Sequence, residues 1–238
     1  MDIDISDIAA DFPAFRACVL IAGELAISSA RGQGLDEEIA RREAECRKRW
    51  AGMELSEIPG IEAWRRAYRQ FGIKRTSYRS SVERLVKNVL AGRELARINS
   101  FVDAYNAVSL SHVLPLGADD LDKIAGDIRF RYARPGDSFR DMAGEGEGGQ
   151  EAAPKDGEVV YADGEKVLCR RWNWRQDARS LVGEATASAI VTVQSNGWGD
   201  EQAAAEDLAA LLRRHCGARV AIFEVSARSP RRILSARA

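Results

Sequence analysis

A chain of 238 residues, 45% hydrophobic and 30% charged, is long enough to bury a proper core and has the composition of an ordinary soluble globular protein. Its longest apolar run, 17–22, is far shorter than the ~20 residues a helical bilayer span requires, and its acidic start, Met1-Asp2-Ile3-Asp4, lacks a basic leader region. No membrane association and a cytoplasmic location are therefore expected. The net charge of −1 conceals segregated blocks. Residues 61–99 carry ten Lys/Arg against three Glu, residues 119–165 thirteen acids against six bases, and residues 166–181 five bases against one acid. Such a basic face either offers a polyanion an approach or is simply a solvated helix surface. Cys18, Cys46, Cys169 and Cys216 are widely spaced, with only His112 and His215 to assist them. No metal site and no cofactor are expected, and the cysteines read as reduced thiols.

In chain order, Ile3 and Ile5 alternate with aspartates as in a short edge strand, and the apolar run after Arg16 reads as a buried strand. Residues 35–50 follow as a charged helix, acidic in its first turn and basic in its last. Residues 1–60 are expected to form an extension packed on a compact core of 61–238. Pro59 starts and Gly72 stops a helix with Ile61, Trp64, Tyr68 and Phe71 on its inner stripe. The connection Lys74-Arg75-Thr76-Ser77-Tyr78-Arg79 is basic and hydroxyl-bearing, which suits it to phosphate. Ser80 and Glu83 predict a capping box for the helix that buries Val82, Leu85, Val86 and Val89.

The next helix, capped at Asn99 and stopped by Pro115, carries polar groups on an apolar body. Asn99, Asp103 and Asn106 are four and three residues apart and share one face, so they need hydrogen-bond partners or line a site. Beyond it the pattern turns to period two at Ile128, Phe130 and Tyr132, and Arg134-Pro135-Gly136-Asp137 makes a turn. Residues 142–157 read as a mobile loop, and 159–161 with 167–169 as a hairpin. Its far end leads into Cys169-Arg170-Arg171-Trp172-Asn173-Trp174-Arg175-Gln176-Asp177, dense in groups that stack on bases and fork phosphates. The same composition serves equally as a Trp-Arg plug at the end of a sheet. A strand at 189–193, a helix at 200–216 and a strand at 220–225 close the chain, and Arg228, Arg231 and Arg232 read as a soluble tail or an RNA contact.

Asn99-x-x-Val102-Asp103-x-x-Asn106, followed by Leu114-Pro115-Leu116-Gly117-Ala118-Asp119 and by the block 158–186, resembles the B3/B4 editing domain of the bacterial phenylalanyl-tRNA synthetase β subunit and its free-standing relatives. The resemblance implies an α/β (α+β) fold in three layers, with a sheet-rich core flanked by helices. In the synthetase the domain hydrolyses tyrosine wrongly attached to phenylalanine tRNA, so the implied activity is deacylation of mischarged aminoacyl-tRNA in trans. No aminoacylation activity is expected. Carried over residue by residue, Asn106 keeps the family's Asp-x-x-Asn element and Thr186 its threonine. Gly117 stands where the family has its editing histidine, Thr192 where it has the glutamate that reads tyrosine, and Gln176 and Asp177 where it has paired glycines.

With those losses, ester hydrolysis would rest on a positioned water and amide donors. Asn106 and Asn173 are the candidate catalytic groups. Asp103, Gly117, Trp172, Trp174, Gln176, Thr186 and Thr192 are the candidate pocket. Lys74, Arg75, Arg79, Arg170, Arg171 and Arg175 are the candidate RNA contacts, the expected partner being the aminoacylated 3′ end of a tRNA. The alternatives are a non-catalytic binder of tRNA ends, of a free amino acid or of another small molecule, and an unrelated small-molecule enzyme on the same scaffold. The sequence leaves the oligomeric state open.

Overall fold

The computed structural model describes residues 1–73, 78–142 and 154–235. Its organising strand is β2 (Phe15–Gly23), where the apolar run serves both faces at once. Cys18, Leu20 and Ala22 point into one core, and Phe15, Ala17, Val19 and Ile21 into another. That is the period-two consequence of a strand with no solvent face. β2 pairs antiparallel along its length with β8 (Ala189–Asn196) and β9 (Arg219–Ser226), and β3 (Leu116–Asp120) pairs with the far side of β8. Residues 1–60, expected as an extension packed on the core, thus supply an interior strand of the four-stranded sheet, ordered β3-β8-β2-β9.

The second sheet joins β1 (Asp2–Asp4), β4 (Ile128–Tyr132), β5 (Val159–Ala162), β6 (Val167–Arg170), β7 (Arg175–Gln176) and β10 (Arg231–Ile233) in the order β10-β1-β4-β5-β6-β7. Two expectations are corrected here. Ile3 lies on a strand paired on both sides rather than at an edge, and the segment read as a soluble tail is the edge strand β10, tied to β1 by an Arg231–Asp2 ion pair of 2.7 Å. The two sheets meet across a core of Ile3, Phe15, Val19, Phe130, Leu168 and Trp172, to which α3 (Pro59–Gln70) adds Trp64, Ala67 and Tyr68. Burial of each such large side chain stabilises the fold by roughly 1.5–3 kcal/mol.

On the other face of the four-stranded sheet lie α2 (Gln33–Arg49), α4 (Ser81–Leu90), α5 (Ser100–His112) and α6 (Glu201–Cys216). The fold is mixed α/β, with helices, a four-stranded sheet and a six-stranded sheet as successive layers. A short helix, α1 (Ser6–Ala9), packs on β4. α2, α5 and α6 are tied by Arg42, whose guanidinium binds Asp207 at 2.6 and 2.7 Å, Glu38 at 2.6 Å and the Ser111 hydroxyl of α5 at 3.3 Å. Burial alone would raise the Asp207 pKa, but Arg42 and the His112 imidazole at 3.0 Å hold its carboxyl well below the usual carboxylate range.

α5 begins as its sequence predicts: the Asn99 side chain accepts from the Val102 N–H at 2.8 Å. It ends at Val113, in left-handed conformation (φ 52°), just before Pro115. Gly60 is required at the start of α3, because a Cβ there would meet the Val113 carbonyl oxygen at 2.5 Å and the Trp198 ring at 2.8 Å. The capping box expected of Ser80 and Glu83 does not form. Arg65 and Arg79 hold the Glu83 carboxylate at 2.6 and 2.8 Å, so its charge is spent on them instead of on the Ser80 N–H. The loop expected over 142–157 lies largely outside the described residues, as do Lys74 and Arg75. Among the described residues, no helix is long and apolar enough to cross a membrane.

Candidate functional site

Where β3, β8 and the β6–β7 turn approach α4 and α5, they enclose a cavity of about 280 Å³. Strand register explains much of its wall. Gly117 of β3 stands opposite Thr192 of β8, and Cys169 of β6 opposite Gln176 of β7. A Cβ at Gly117 would meet nothing within 4 Å, so the missing side chain leaves open space where the family pattern has histidine. Asn106, Gly117, Asn173, Trp174, Arg175, Gln176 and Thr192, all singled out from the sequence, line this one cavity.

The two asparagines differ in what they have left to offer. Asn106 is half-buried and makes no side-chain hydrogen bond among the described residues. Asn173 is committed on both sides of its amide. Its Oδ1 accepts from the Tyr68 hydroxyl at 2.9 Å, and its Nδ2 donates to Gln194 Oε1 at 3.0 Å. Gln194 in turn donates to Thr192 Oγ1 at 3.0 Å. This chain locks the cavity wall to α3, with the tight left-handed turn of Arg171 (φ 45°) and Trp172 (φ 67°) just before it. Backbone held this way stores strain of order 1–3 kcal/mol per residue, offset here by packing.

The remaining sequence candidates lie away from the cavity. Trp172 is fully buried in an edge-to-face cluster, with ring centroids 4.7 Å from Phe12, 4.9 Å from Phe15 and 5.3 Å from Trp64. Arg170 forks the buried Glu158 carboxylate at 3.0 and 2.9 Å. Arg171 is buried between the faces of Tyr78 and Trp174, 3.6 and 4.2 Å from their centroids. Asp103 pairs with Arg31 at 2.6 Å and accepts from the Ile98 N–H at 3.0 Å. Thr186 donates to Asp120 at 2.7 Å. Arg79 is held by Glu83. His112 lies against Asp207, and neither histidine lines the cavity.

Sequence reading missed the group that gives the cavity its chemistry. Asp119, two residues beyond Gly117 on β3 and therefore on the same face, is 3% exposed and lines the cavity. Burial pushes its pKa up to about 7, against hydrogen bonds to one oxygen, Oδ1, from Ser180 at 2.6 Å and Gln176 at 2.9 Å. The Oδ2 oxygen accepts no hydrogen bond among the described residues. Around it stand Tyr105, Tyr161 and Cys169, whose own pKa values rise through burial first and the Asp119 charge second. Among the described residues, the Tyr161 hydroxyl and the Trp174 indole N–H are buried without a hydrogen-bond partner, as is the Ser81 hydroxyl at the start of α4. Arg84 completes the rim, exposed and in no ion pair among the described residues. A cavity with one free carboxylate oxygen and several free donors matches a polar guest, since unpaired buried groups cost roughly 1–3 kcal/mol each.

The family model for the B3/4 domain matches residues 63–217, most of the chain. The chain belongs to the B3/4 domain family. The matched span includes every residue of the cavity wall named above, while β2, the strand that pairs β8 with β9, precedes it in this B3/4 protein. Among solved structures, the crystal structure of an N-terminal fragment of the phenylalanyl-tRNA synthetase β subunit from Pyrococcus horikoshii is similar, at 12% identity and a TM-score of 0.45. The match covers 93% of this chain and 53% of that one, so the B3/4 protein spans about half the length of the fragment. No curated protein matches it.

Proposed function

We propose that this B3/4 protein binds the acylated 3′ end of a tRNA and hydrolyses the ester in trans. The observation that carries the reading is the cavity's charge chemistry: a buried carboxyl poised near neutrality, with one oxygen free, beside donors that have no partner among the described residues. In its ionised form Asp119 takes a proton from a water, and the hydroxide oxygen attacks the ester carbonyl. The free amide of Asn106, with the Tyr161 hydroxyl, donates to the oxyanion that forms. Collapse of the tetrahedral intermediate breaks the bond to the ribose oxygen, which receives the proton from Asp119. The products are the free amino acid and the tRNA hydroxyl. A base whose pKa lies near the working pH is well matched to this step, and a single oxyanion donor is worth about 10²–10³ in rate.

The competing reading is a binder without turnover, and the absence of histidine from the cavity wall favours it. Single-turnover deacylation across the set of charged tRNAs separates the two. The hydrolase reading expects at least one substrate to be cleaved far above its uncatalysed rate, with Asn106→Ala lowering that rate by about 10²-fold or more while changing affinity little. No cleavage of any charged tRNA, with the variant altered in affinity alone, would leave the binder. Tyrosyl-tRNA(Phe) is expected to be a poor substrate, because Gly117 and Thr192 replace the histidine and glutamate of the family pattern.

A further inference from the structure

We infer that the rim of the cavity holds a phosphate subsite, built from the first turn of α4, the Ser81 hydroxyl, the Trp174 indole N–H and Arg84. It rests on the reading of the cavity as the seat of an acylated nucleoside, and it assigns the occupant's 5′-phosphate a place. α4 has ten residues and no side-chain cap: among the described residues, the Ser80 hydroxyl, on a residue 2% exposed, makes no hydrogen bond. The Ser81 N–H donates to the Asn173 carbonyl oxygen at 2.9 Å, but the first-turn N–H groups of Val82 and Glu83 lack the acceptor that a capping side chain supplies, and a helix start of this kind favours an anion.

Independent signs at the same place point to a ligand. Trp174 is 8% exposed and lines the cavity, yet its indole N–H has no acceptor among the described residues. The Ser81 oxygen is likewise covered and unpaired, on a residue that also lines the cavity. Arg84, three residues on and so on the same face of α4, is an exposed guanidinium of the wall that no carboxylate neutralises among the described residues. The nearest acid on the helix, Glu83, does not oppose an anion, because Arg65 and Arg79 already neutralise it. What gathers here, among the described residues, is a set of side-chain donors without acceptors beside the Arg84 cation: the recognition chemistry of a phosphate ester. The Asp119 carboxylate lines the same cavity, so a molecule spanning both presents a phosphate to the rim and an acyl group to the acid. A nucleoside 5′-phosphate acylated on its ribose has that layout.

The test uses the full chain and amide-linked 3′-aminoacylamido-3′-deoxyadenosines, which resist hydrolysis, with and without a 5′-phosphate, in a panel covering the proteinogenic side chains. For whichever compound binds, the 5′-phosphate is expected to tighten binding by about 10-fold or more, and Arg84→Ala or Ser81→Ala to cut that gain to about 3-fold or less. The compounds without phosphate should bind the variants as they bind the native chain. Equal affinity with and without phosphate, or a gain that survives both substitutions, overturns the subsite while leaving the acyl reading intact. If no compound binds, the acyl reading fails, and inorganic phosphate decides the subsite alone. Titration followed by amide NMR should then shift the Val82 backbone and Trp174 indole signals in the native chain and not in Arg84→Ala. Absence of those shifts overturns it. Tighter binding of adenosine 5′-phosphate than of inorganic phosphate distinguishes a nucleotide site from one for the free ion, and equal binding would overturn the nucleotide assignment.

Discussion

The segment Arg170–Trp172 and the strand Leu116–Asp120 make an instructive pair. The first, with two arginines and a tryptophan in three residues, has every mark of a binding surface, yet it is spent on the fold. Arg170 is locked to Glu158, Arg171 is sandwiched between aromatic rings, and Trp172 fills the core between the sheets. The second, Leu-Gly-Ala-Asp-Asp, looks plain, yet it contributes the open floor at Gly117 and the half-satisfied acid at Asp119. What separates them is satisfaction of polar groups. A charged side chain with a buried partner is structure, and one with an empty oxygen facing a cavity is available for chemistry.

The largest effects should break the first region. Glu158→Ala removes the bidentate acceptor of the buried Arg170 and is expected to cost about 3–5 kcal/mol, and Trp172→Ala a similar amount through loss of its aromatic neighbours. Chemical denaturation would read both as a lowered midpoint. Trp174→Ala, at the cavity, should cost distinctly less stability; equal losses would erase the contrast.

Next comes Asp119→Asn, which should do opposite things to activity and stability. Above pH 7 the native chain holds a buried carboxylate whose folded pKa exceeds its unfolded value near 3.8. The contribution of this group to stability is complete below about pH 4 and is lost as pH rises through about 7. The neutral amide avoids that loss. The variant should therefore melt higher than the native chain at pH 8, by about 2 °C or more, and the difference should vanish toward pH 4. Deacylation should fall by about 10²-fold or more, and the native rise in rate through pH 7 should disappear. A variant that melts lower at pH 8 would show that the carboxylate is held by contacts stronger than its desolvation.

Much of this was readable in the chain. The apolar run in β2, the Asn99 cap and the period-two stretch of β4 follow local rules, and those elements formed as expected. The gathering of Asn106, Gly117, Thr192 and the 173–176 segment was legible through resemblance to a family pattern. Non-local partners were not. Glu83 abandons its capping role for Arg65, which is eighteen residues away, and Asp103 leaves the polar column for Arg31. Asp119 gave no signal beyond its even spacing from Gly117, because its raised pKa is a property of the burial that α5 and the sheets impose together.

A smaller effect sharpens the cavity itself. Tyr161→Phe removes a hydroxyl that has no partner among the described residues, so stability should change by no more than about 0.5 kcal/mol. Binding of the best acylated nucleoside should weaken by about 5- to 10-fold if the hydroxyl meets the guest. A clear loss of stability in thermal melts would mean that the hydroxyl already serves the fold. Gly117→Ala should be milder still: the added methyl meets open space, stability should rise by a few tenths of a kcal/mol, and affinity should drop only as far as the methyl intrudes on the guest.

The most direct measurement is the titration of the Asp119 carboxyl carbon by NMR in the free protein, assigned by its disappearance in Asp119→Asn. The account predicts a midpoint near pH 7, well separated from the bulk carboxylates. A midpoint near pH 4 would mean that this oxygen is solvated and ordinary, and it would contradict the assignment of Asp119 as the proton acceptor of the cavity.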